Sequence, residues 1–223
     1  MIAIIPARGG SKGIKNKNLQ LVGDKSLIRR AVETCNQSKS VEKVYVSSDD
    51  ENILQEAKKS GALAIKRPKN LSDDFSTSES AILHAISVIE KHNLNIENIL
   101  FFQATSPFVS SDDIDNMYKI FTNNNYDSMF SSEIFHGFLW KDQSKISIPI
   151  GHDSSQRLRR QDMDKIYKEN GALYMFNKNK FLKHKHRFFG KIGNFKMPPK
   201  RSIEIDNPLD LFISNKIFEF YEK

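Results

Sequence analysis

Residues 1–13 read Met1-Ile-Ala-Ile-Ile-Pro-Ala-Arg-Gly-Gly-Ser-Lys-Gly13, and their character changes abruptly half-way. Ile2–Ile5 is an unbroken apolar run, the pattern of a strand buried on both faces of a parallel sheet. Pro6 onward is a glycine- and cation-rich loop. In an open parallel sheet ligands sit outside the carboxyl ends of the strands, and this loop leaves the first strand at that edge.

The chain beyond the loop repeats the strand-then-helix rhythm. Leu27, Ile28, Ala31, Val32 and Cys35 recur at helical spacing, and Val44–Val46 reads as a second strand. Ser48-Asp49-Asp50 supplies N-cap chemistry for a helix striped by Ile53, Leu54 and Ala57, with Gly61 at its C′ position. Ala62–Ile65 is a third strand. Ser76-x-x-Glu79 reads as a capping box opening a helix that carries Ile82, Ala85, Ile86 and Ile89 on one face. Ile99–Phe102 is a fourth strand, and Ser111 is expected to cap a helix with Ile114, Met117, Tyr118 and Phe121. Between Phe135 and Asp164 the pattern loosens, as in an inserted subdomain. Asn170–Phe176 and Ile203–Ile205 return as strands. Asn207-Pro208 then makes a cap with a first-turn proline, and Leu209, Phe212, Ile213, Ile217 and Phe220 form the expected stripe of a closing helix. This order implies parallel strands, right-handed crossovers and helices on both faces.

A length of 223 residues suits one domain, 1–223. No apolar stretch approaches the ~20 residues that cross a bilayer. Met1 runs straight into an apolar strand without a basic region, so no secretory leader is expected and a cytoplasmic setting is. The single Cys35 excludes an internal disulfide and a multi-cysteine zinc site. Lys plus Arg outnumber Asp plus Glu by 34 to 27, a net +7 that is unevenly spread. Residues 1–40 carry eight basic residues against two acids, and residues 157–201 carry fourteen against three. Such segments suit nucleic acid or a small polyanion, although the Lys178–Lys191 run reads more simply as solvated surface.

The first cluster is the more informative. Gly9, Gly10 and Gly13 let backbone N–H groups approach anionic oxygens, and Arg8, Lys12, Lys15 and Lys17 add full charges. It is neither a Walker A loop, since Ile14 stands five residues beyond Gly9, nor a dinucleotide fingerprint, which would need glycine at Arg8. In the strand expected at Ile203–Ile205, residues i and i+2 point to one face, so Glu204 and Asp206 converge while Ile203 and Ile205 face the core. Two such carboxylates suit Mg²⁺, which takes one or two protein carboxylates and completes its shell with phosphates and water. The dipole of the helix beginning at Asn207-Pro208 helps keep Asp206 ionised. No His-Glu-x-x-His motif is present.

Ile4-Ile-Pro-Ala-Arg-Gly-Gly-Ser-Lys-Gly-Ile14 with Lys17-Asn18 resembles the opening motif of the CMP-sugar-acid synthetases, in particular the acylneuraminate cytidylyltransferases. The likeness continues through Arg67-Pro68, Leu71-Ser-Asp-Asp74, Gln103-Ala-Thr-Ser-Pro107, Arg160-Gln-Asp162, Glu169-Asn-Gly-Ala172 and Ser202-Ile-Glu-Ile-Asp206. It implies an α/β fold, a Rossmann-like open and mostly parallel sheet with helices on both faces. Residues 135–164 would be a small inserted dimerisation subdomain. It also implies transfer of CMP from CTP to the anomeric hydroxyl of a 2-keto sugar acid, with release of pyrophosphate. By this resemblance Arg8, Lys12 and Lys17 hold and neutralise the triphosphate, together with the backbone of Gly9, Gly10, Ser11 and Gly13. Asn18 helps orient the nucleotide, and Arg67 and the Asp74–Ser78 turn, Ser78 included, form its cytosine and ribose side. Gln103, Arg160, Asn170, Tyr174, Phe188 and Phe189 contact the sugar acid, the last two packing on its acyl group. Asp206 and Glu204 hold Mg²⁺. The family usually has Asp-x-Asp there, so the longer Glu204 is a candidate for ligation through water. Lys168 stands where relatives often have arginine, and lysine cannot clamp a carboxylate bidentately.

The resemblance also implies a homodimer whose inserted subdomain reaches the partner's site, with Phe135, Phe138, Leu139 and Trp140 as apolar area to bury. No membrane and no nucleic acid is expected as a partner. The alternatives are a Kdo-type cytidylyltransferase and, in a different class, a basic nucleic-acid-binding module. The first places a metal ligand near the fourth-strand loop, where this chain has Gln103-Ala-Thr105. The second lacks aromatic side chains interleaved with its basic residues.

Overall fold

A computed structural model of the protein describes residues 1–91 and 96–221. In strand β1 (Ile2–Pro6) the side-chain alternation sends Ala3 and Ile5 to one face and Ile2 and Ile4 to the other, and all four are buried. After β1 come the short pair β2 (Leu21–Val22) and β3 (Lys25–Ser26), then α1 (Leu27–Gln37), β4 (Lys43–Ser48), α2 (Glu51–Lys59) and β5 (Leu63–Lys66). Next are α3 (Ser78–Glu90), β6 (Asn98–Phe102), α4 (Ser111–Asn123) and β7 (Ser128–Phe135). The chain ends with β8 (Leu139–Gln143), β9 (Ile146–Ile150), β10 (Ile166–Asn177), α5 (Lys178–His184), β11 (Ile192–Lys196) and α6 (Pro208–Tyr221).

Seven strands form the main sheet in the order β11-β7-β10-β6-β1-β4-β5. Only β10 runs against the rest, antiparallel to both β6 and β7. Helices α1, α2 and α4 cover one face with Ile28, Val32, Ile53, Ala57, Ile114 and Met117. The other face takes Ile82, Ala85, Ile86 and Ile89 of α3 and Phe181 of α5. The protein is therefore a Rossmann-like, mostly parallel α/β sheet clad on both sides. Strands β4 and β5 lie to one side of β1 and β6 to the other, so the order reverses beside β1, where such sheets bind ligands.

Several expectations are corrected. Ile203–Ile205 is not a strand: among the described residues it joins no ladder, and its backbone is tied by Ile205 N donating to Thr105 O at 2.9 Å. The unanticipated strands β7 and β11 complete that end of the sheet instead. Most of the Lys178–Lys191 run is exposed, as expected, but it also contains α5, and Lys178 pairs with Glu90 at 2.6 Å with little exposure. Thr77 rather than Ser76 caps α3, because the Ser76 hydroxyl is already donated to Asp73 at 2.7 Å. Ser110 rather than Ser111 caps α4, closing a reciprocal capping box with Asp113. Helix α6 packs through Leu211, Ile217 and Phe218 against Val22, Leu27 and Ile205, leaving Leu209, Phe212, Ile213 and Phe220 exposed. Of the expected stripe, Ile217 lies on the covered face and the other four side chains lie outside it.

Phe135 and Ile166 face each other across the β7/β10 ladder, and the chain between them leaves the sheet. Its core is the β8/β9 hairpin. His152 packs edge-on against Phe138 and Trp140, and Arg157 lies over the Phe138 ring. Leu139, Trp140, Ile146 and Ile150 stay exposed.

Candidate active site

A cleft of about 450 Å³ opens at the carboxyl ends of β1, β5 and β6. Its first wall is the loop after β1. The Gly9 amide donates to Asp49 Oδ1 at 3.0 Å, tying the loop to the end of β4. The buried Asn18 donates Nδ2 to the Arg8 carbonyl at 3.0 Å and pins the loop from inside. A Cβ on Gly13 would fall 2.2 Å from the carbonyl oxygen of Asp206. Glycine is therefore what allows the cationic turn to lie directly against the acidic segment.

The charges of this loop meet acids across the cleft. Arg8 Nη1 donates to Asp74 Oδ1 and to the Asp73 carbonyl, both at 3.0 Å, while Lys12 Nζ lies 2.9 Å from Asp74 Oδ2. Lys17, largely buried, donates to Asp206 Oδ1 at 2.9 Å. These partners hold the Asp74 carboxyl below the usual carboxylate range, Lys12 contributing most. Arg67 is buried and donates Nε to Ser72 Oγ at 2.9 Å. Burial pushes its guanidinium down; the Asp49 charge opposes this and the Arg8 charge reinforces it.

At the far end Glu204 Oε1 accepts from Gln103 Nε2 at 3.2 Å and from Thr105 Oγ1 at 3.4 Å. Gly171, at φ +70°, carries the backbone past this carboxylate, where a Cβ would sit 2.8 Å from Glu204 Oε2. Burial raises the Glu204 carboxyl, the Asp206 charge adds to that, and the Gln103, Thr105 and Lys17 groups only partly offset it.

Of the residues singled out by sequence, Arg8, Ser11, Lys12, Gly13, Lys17, Asn18, Arg67, Ser78, Gln103, Glu204 and Asp206 line this one cleft. The pair at 204 and 206 faces it without being in a strand. Others stand elsewhere. Gly9 and Gly10 shape the loop but do not line the cleft. Asn170 is buried: its Oδ1 accepts from Ser131 Oγ at 2.6 Å and its Nδ2 donates to Ser202 Oγ at 3.0 Å, so its polar groups are engaged within the protein. Tyr174 is buried behind Phe101, on which it stacks, and donates its hydroxyl to Glu169. Phe189 is a core side chain stacked on His184, and Phe188 packs edge-on to Phe130 and Tyr174. Arg160 is exposed on a 3₁₀ turn (Arg160–Asp162) of the excursion. Sequence reasoning passed over Asp49, read only as cap chemistry, and Thr105, which lay inside a quoted motif. It also missed Arg187, whose Nε meets Glu79 Oε1 at 2.6 Å beneath the cleft wall. Arg187 had no signal beyond the charge run.

A cleft at the switch point of such a sheet, lined by Arg8, Lys12 and Lys17 and by the carboxylates of Glu204 and Asp206, is the setting of an enzyme that handles a phosphorylated nucleotide. The sequence model of the cytidylyltransferase family matches residues 2–217, and the chain belongs to that family. It is 30% identical to the pseudaminic acid cytidylyltransferase of Campylobacter jejuni subsp. jejuni serotype O:2, the match covering 98% of this chain and 96% of that one. To the N-acylneuraminate cytidylyltransferase of Escherichia coli O18:K1:H7 it is 34% identical, over 94% of this chain and 50% of the relative. The fold is shared with the solved structure of CMP:2-keto-3-deoxy-manno-octonic acid synthetase complexed with CTP, at a TM-score of 0.74, 15% identity and 98% coverage of both chains.

Proposed function

We propose that this cytidylyltransferase transfers CMP from CTP to the anomeric hydroxyl of a nine-carbon, sialic-acid-like 2-keto sugar acid, with Mg²⁺ as cofactor. The observation that carries the reading is the cleft itself: Arg8, Lys12 and Lys17 stand on one side and Glu204 and Asp206 on the other, within reach of a single triphosphate. Two curated relatives acting on such acids, pseudaminic acid and N-acylneuraminate cytidylyltransferases, support the substrate class.

The anomeric oxygen attacks the α-phosphorus, the bond to the bridging oxygen of pyrophosphate breaks, and the hydroxyl proton leaves to solvent or a carboxylate. Positioning and charge stabilisation are the protein's share of such a transfer. Arg8 and Lys12 take the outer phosphates. Lys17, held by Asp206, meets the charge that grows on the leaving group. Gln103 and Thr105 orient Glu204. The donor set fits Mg²⁺, because Glu204 and Asp206 are two hard carboxylates side by side. Among the described residues no cluster of three or more His, Cys, Asp or Glu exists that would hold a metal without substrate. When bound, the ion would neutralise phosphate charge. The loop after β6 supplies no carboxylate, which favours this reading over the eight-carbon branch.

Arg160 and the exposed hairpin suit a cytoplasmic homodimer in which one copy's excursion completes the other's sugar site. Lys178, Lys180, Arg187 and Arg201 of the basic segment pair with Glu90, Asp127, Glu79 and Asp113, which leaves less charge for a nucleic acid. Pyrophosphate release measured with CTP, Mg²⁺ and a panel of eight- and nine-carbon 2-keto sugar acids tests the reading. Turnover with a nine-carbon acid is expected; no turnover across the panel overturns it.

A further inference from the structure

The turn at residues 72–77 contains two adjacent acids with different tasks. Asp73 builds the turn: its Oδ1 accepts from the Phe75 amide at 3.0 Å and from Ser76 Oγ at 2.7 Å. Asp74 takes no part in that. Its Oδ1 accepts from Arg8 at 3.0 Å and its Oδ2 lies 2.9 Å from Lys12, so one carboxylate bridges a guanidinium and an ammonium. Two oxygens of one anionic group spanning two cations is also the way a phosphate would engage them. The neighbouring Phe75 is 95% exposed, so no buried side chain at the tip fastens the turn in place.

We infer that Asp74 is an internal competitor for the outer phosphates: it holds Arg8 and Lys12 in the free enzyme, yields them to the triphosphate, and reclaims them as pyrophosphate leaves. The inference rests on the proposed triphosphate site. A tail carrying several negative charges can displace one carboxylate from two exposed cations. After transfer, return of the carboxylate to the same two donors opposes retention of pyrophosphate. Asp74 is accordingly a positioning residue that sets affinity for the outer phosphates through Arg8 and Lys12.

The consequence runs opposite to that of losing a binding residue. Exposed ion pairs are weak, and removing two of them as competitors corresponds to about threefold to tenfold tighter binding. In Asp74→Asn, KM for CTP should fall by that factor and inhibition by pyrophosphate should strengthen by the same factor. Inhibition by CMP, which lacks the outer phosphates, should not change. Asp74→Glu, which restores the carboxylate, should return pyrophosphate inhibition towards the wild-type value. Calorimetric titration of the free enzyme with inorganic pyrophosphate reads the effect without turnover. Equal or weaker pyrophosphate binding in Asp74→Asn overturns the inference, as does a matching gain for CMP. Failure of the wild-type enzyme to turn over any sugar acid would overturn the cytidylyltransferase reading instead, and the pyrophosphate titration would still judge Asp74.

Discussion

Glu204 is held in the cleft under opposing demands, burial and the Asp206 charge against the donors Gln103 and Thr105. Burial and the neighbouring Asp206 raise its carboxyl pKa in the folded state, so the unfolded chain holds the charge more easily. The linkage follows in sign. A raised folded pKa favours the fold while the group is protonated, below the ordinary glutamate pKa, and that contribution is lost as pH rises through the raised value. Glu204→Gln should therefore raise the melting temperature at pH 7.5, with the gain vanishing near pH 4, while turnover is lost. Thermal melts of both proteins at the two pH values check this; an equal shift at both would mean that packing, not ionisation, is responsible. Lys17 tests the opposite wall. It is a preorganised cation aimed by Asp206, and removing one such stabiliser commonly costs roughly 10²-fold or more in rate. Lys17→Ala should lose that much in kcat, measured by pyrophosphate release; an unchanged kcat would remove it from the mechanism.

At the scale of elements, the cleft depends on how the start of α3 is clamped. Glu79 in its first turn meets Arg187 at 2.6 Å, each side chain only 15% exposed, and the guanidinium lies over the rings of Phe101 and Tyr174. Breaking a buried pair strands a charge, so Arg187→Ala should cost about 3 kcal/mol in urea denaturation. Glu79→Ala combined with it should cost clearly less than the two losses added, since neither partner is then left alone. The clamp was invisible in the sequence because its partners are 108 residues apart, Glu79 reads locally only as half of a capping box, and nothing local marks Arg187. What was legible had local chemistry. The apolar run of β1, the stripes of α1 to α4 and the Asn207 cap of α6 each depend on neighbours within a turn or two. Gly13, Lys17, Gln103, Glu204 and Asp206 came together as a motif-by-motif reading expects. Strand β11 was hidden by Gly193, Asn194 and flanking lysines, which do not alternate as a half-buried strand does. Asn170 and Phe189 had the right residue type for a binding pocket, but only tertiary packing settles whether such groups face a cavity or the core.

On the scale of the whole molecule, the excursion between β7 and β10 is poorly explained by one chain. Trp140 is half exposed, Ile146 more so, and Arg160 lies far along the chain from the cleft residues on an exposed turn. Apolar area of this kind, rimmed by charge, is what a second copy would cover in the proposed homodimer. If the arm of one copy supplies Arg160 to the cleft of the other, each site is shared, and sharing can be tested by mixing. Arg160→Ala keeps an intact cleft and has a defective arm; Lys17→Ala keeps an intact arm and has a defective cleft. Unfolded and refolded together in equal amounts, half the dimers are mixed, and each mixed dimer holds one cleft with Lys17 facing an arm with Arg160. Activity should recover to about a quarter of the wild-type value from two nearly inactive proteins, as symmetry of a two-fold assembly requires. Recovery no better than the sum of the separate activities would put Arg160 in its own chain's site or outside the chemistry altogether. Trp140→Glu with Ile146→Glu should yield a folded monomer by light scattering and circular dichroism, with sugar-acid turnover lost while CTP still binds.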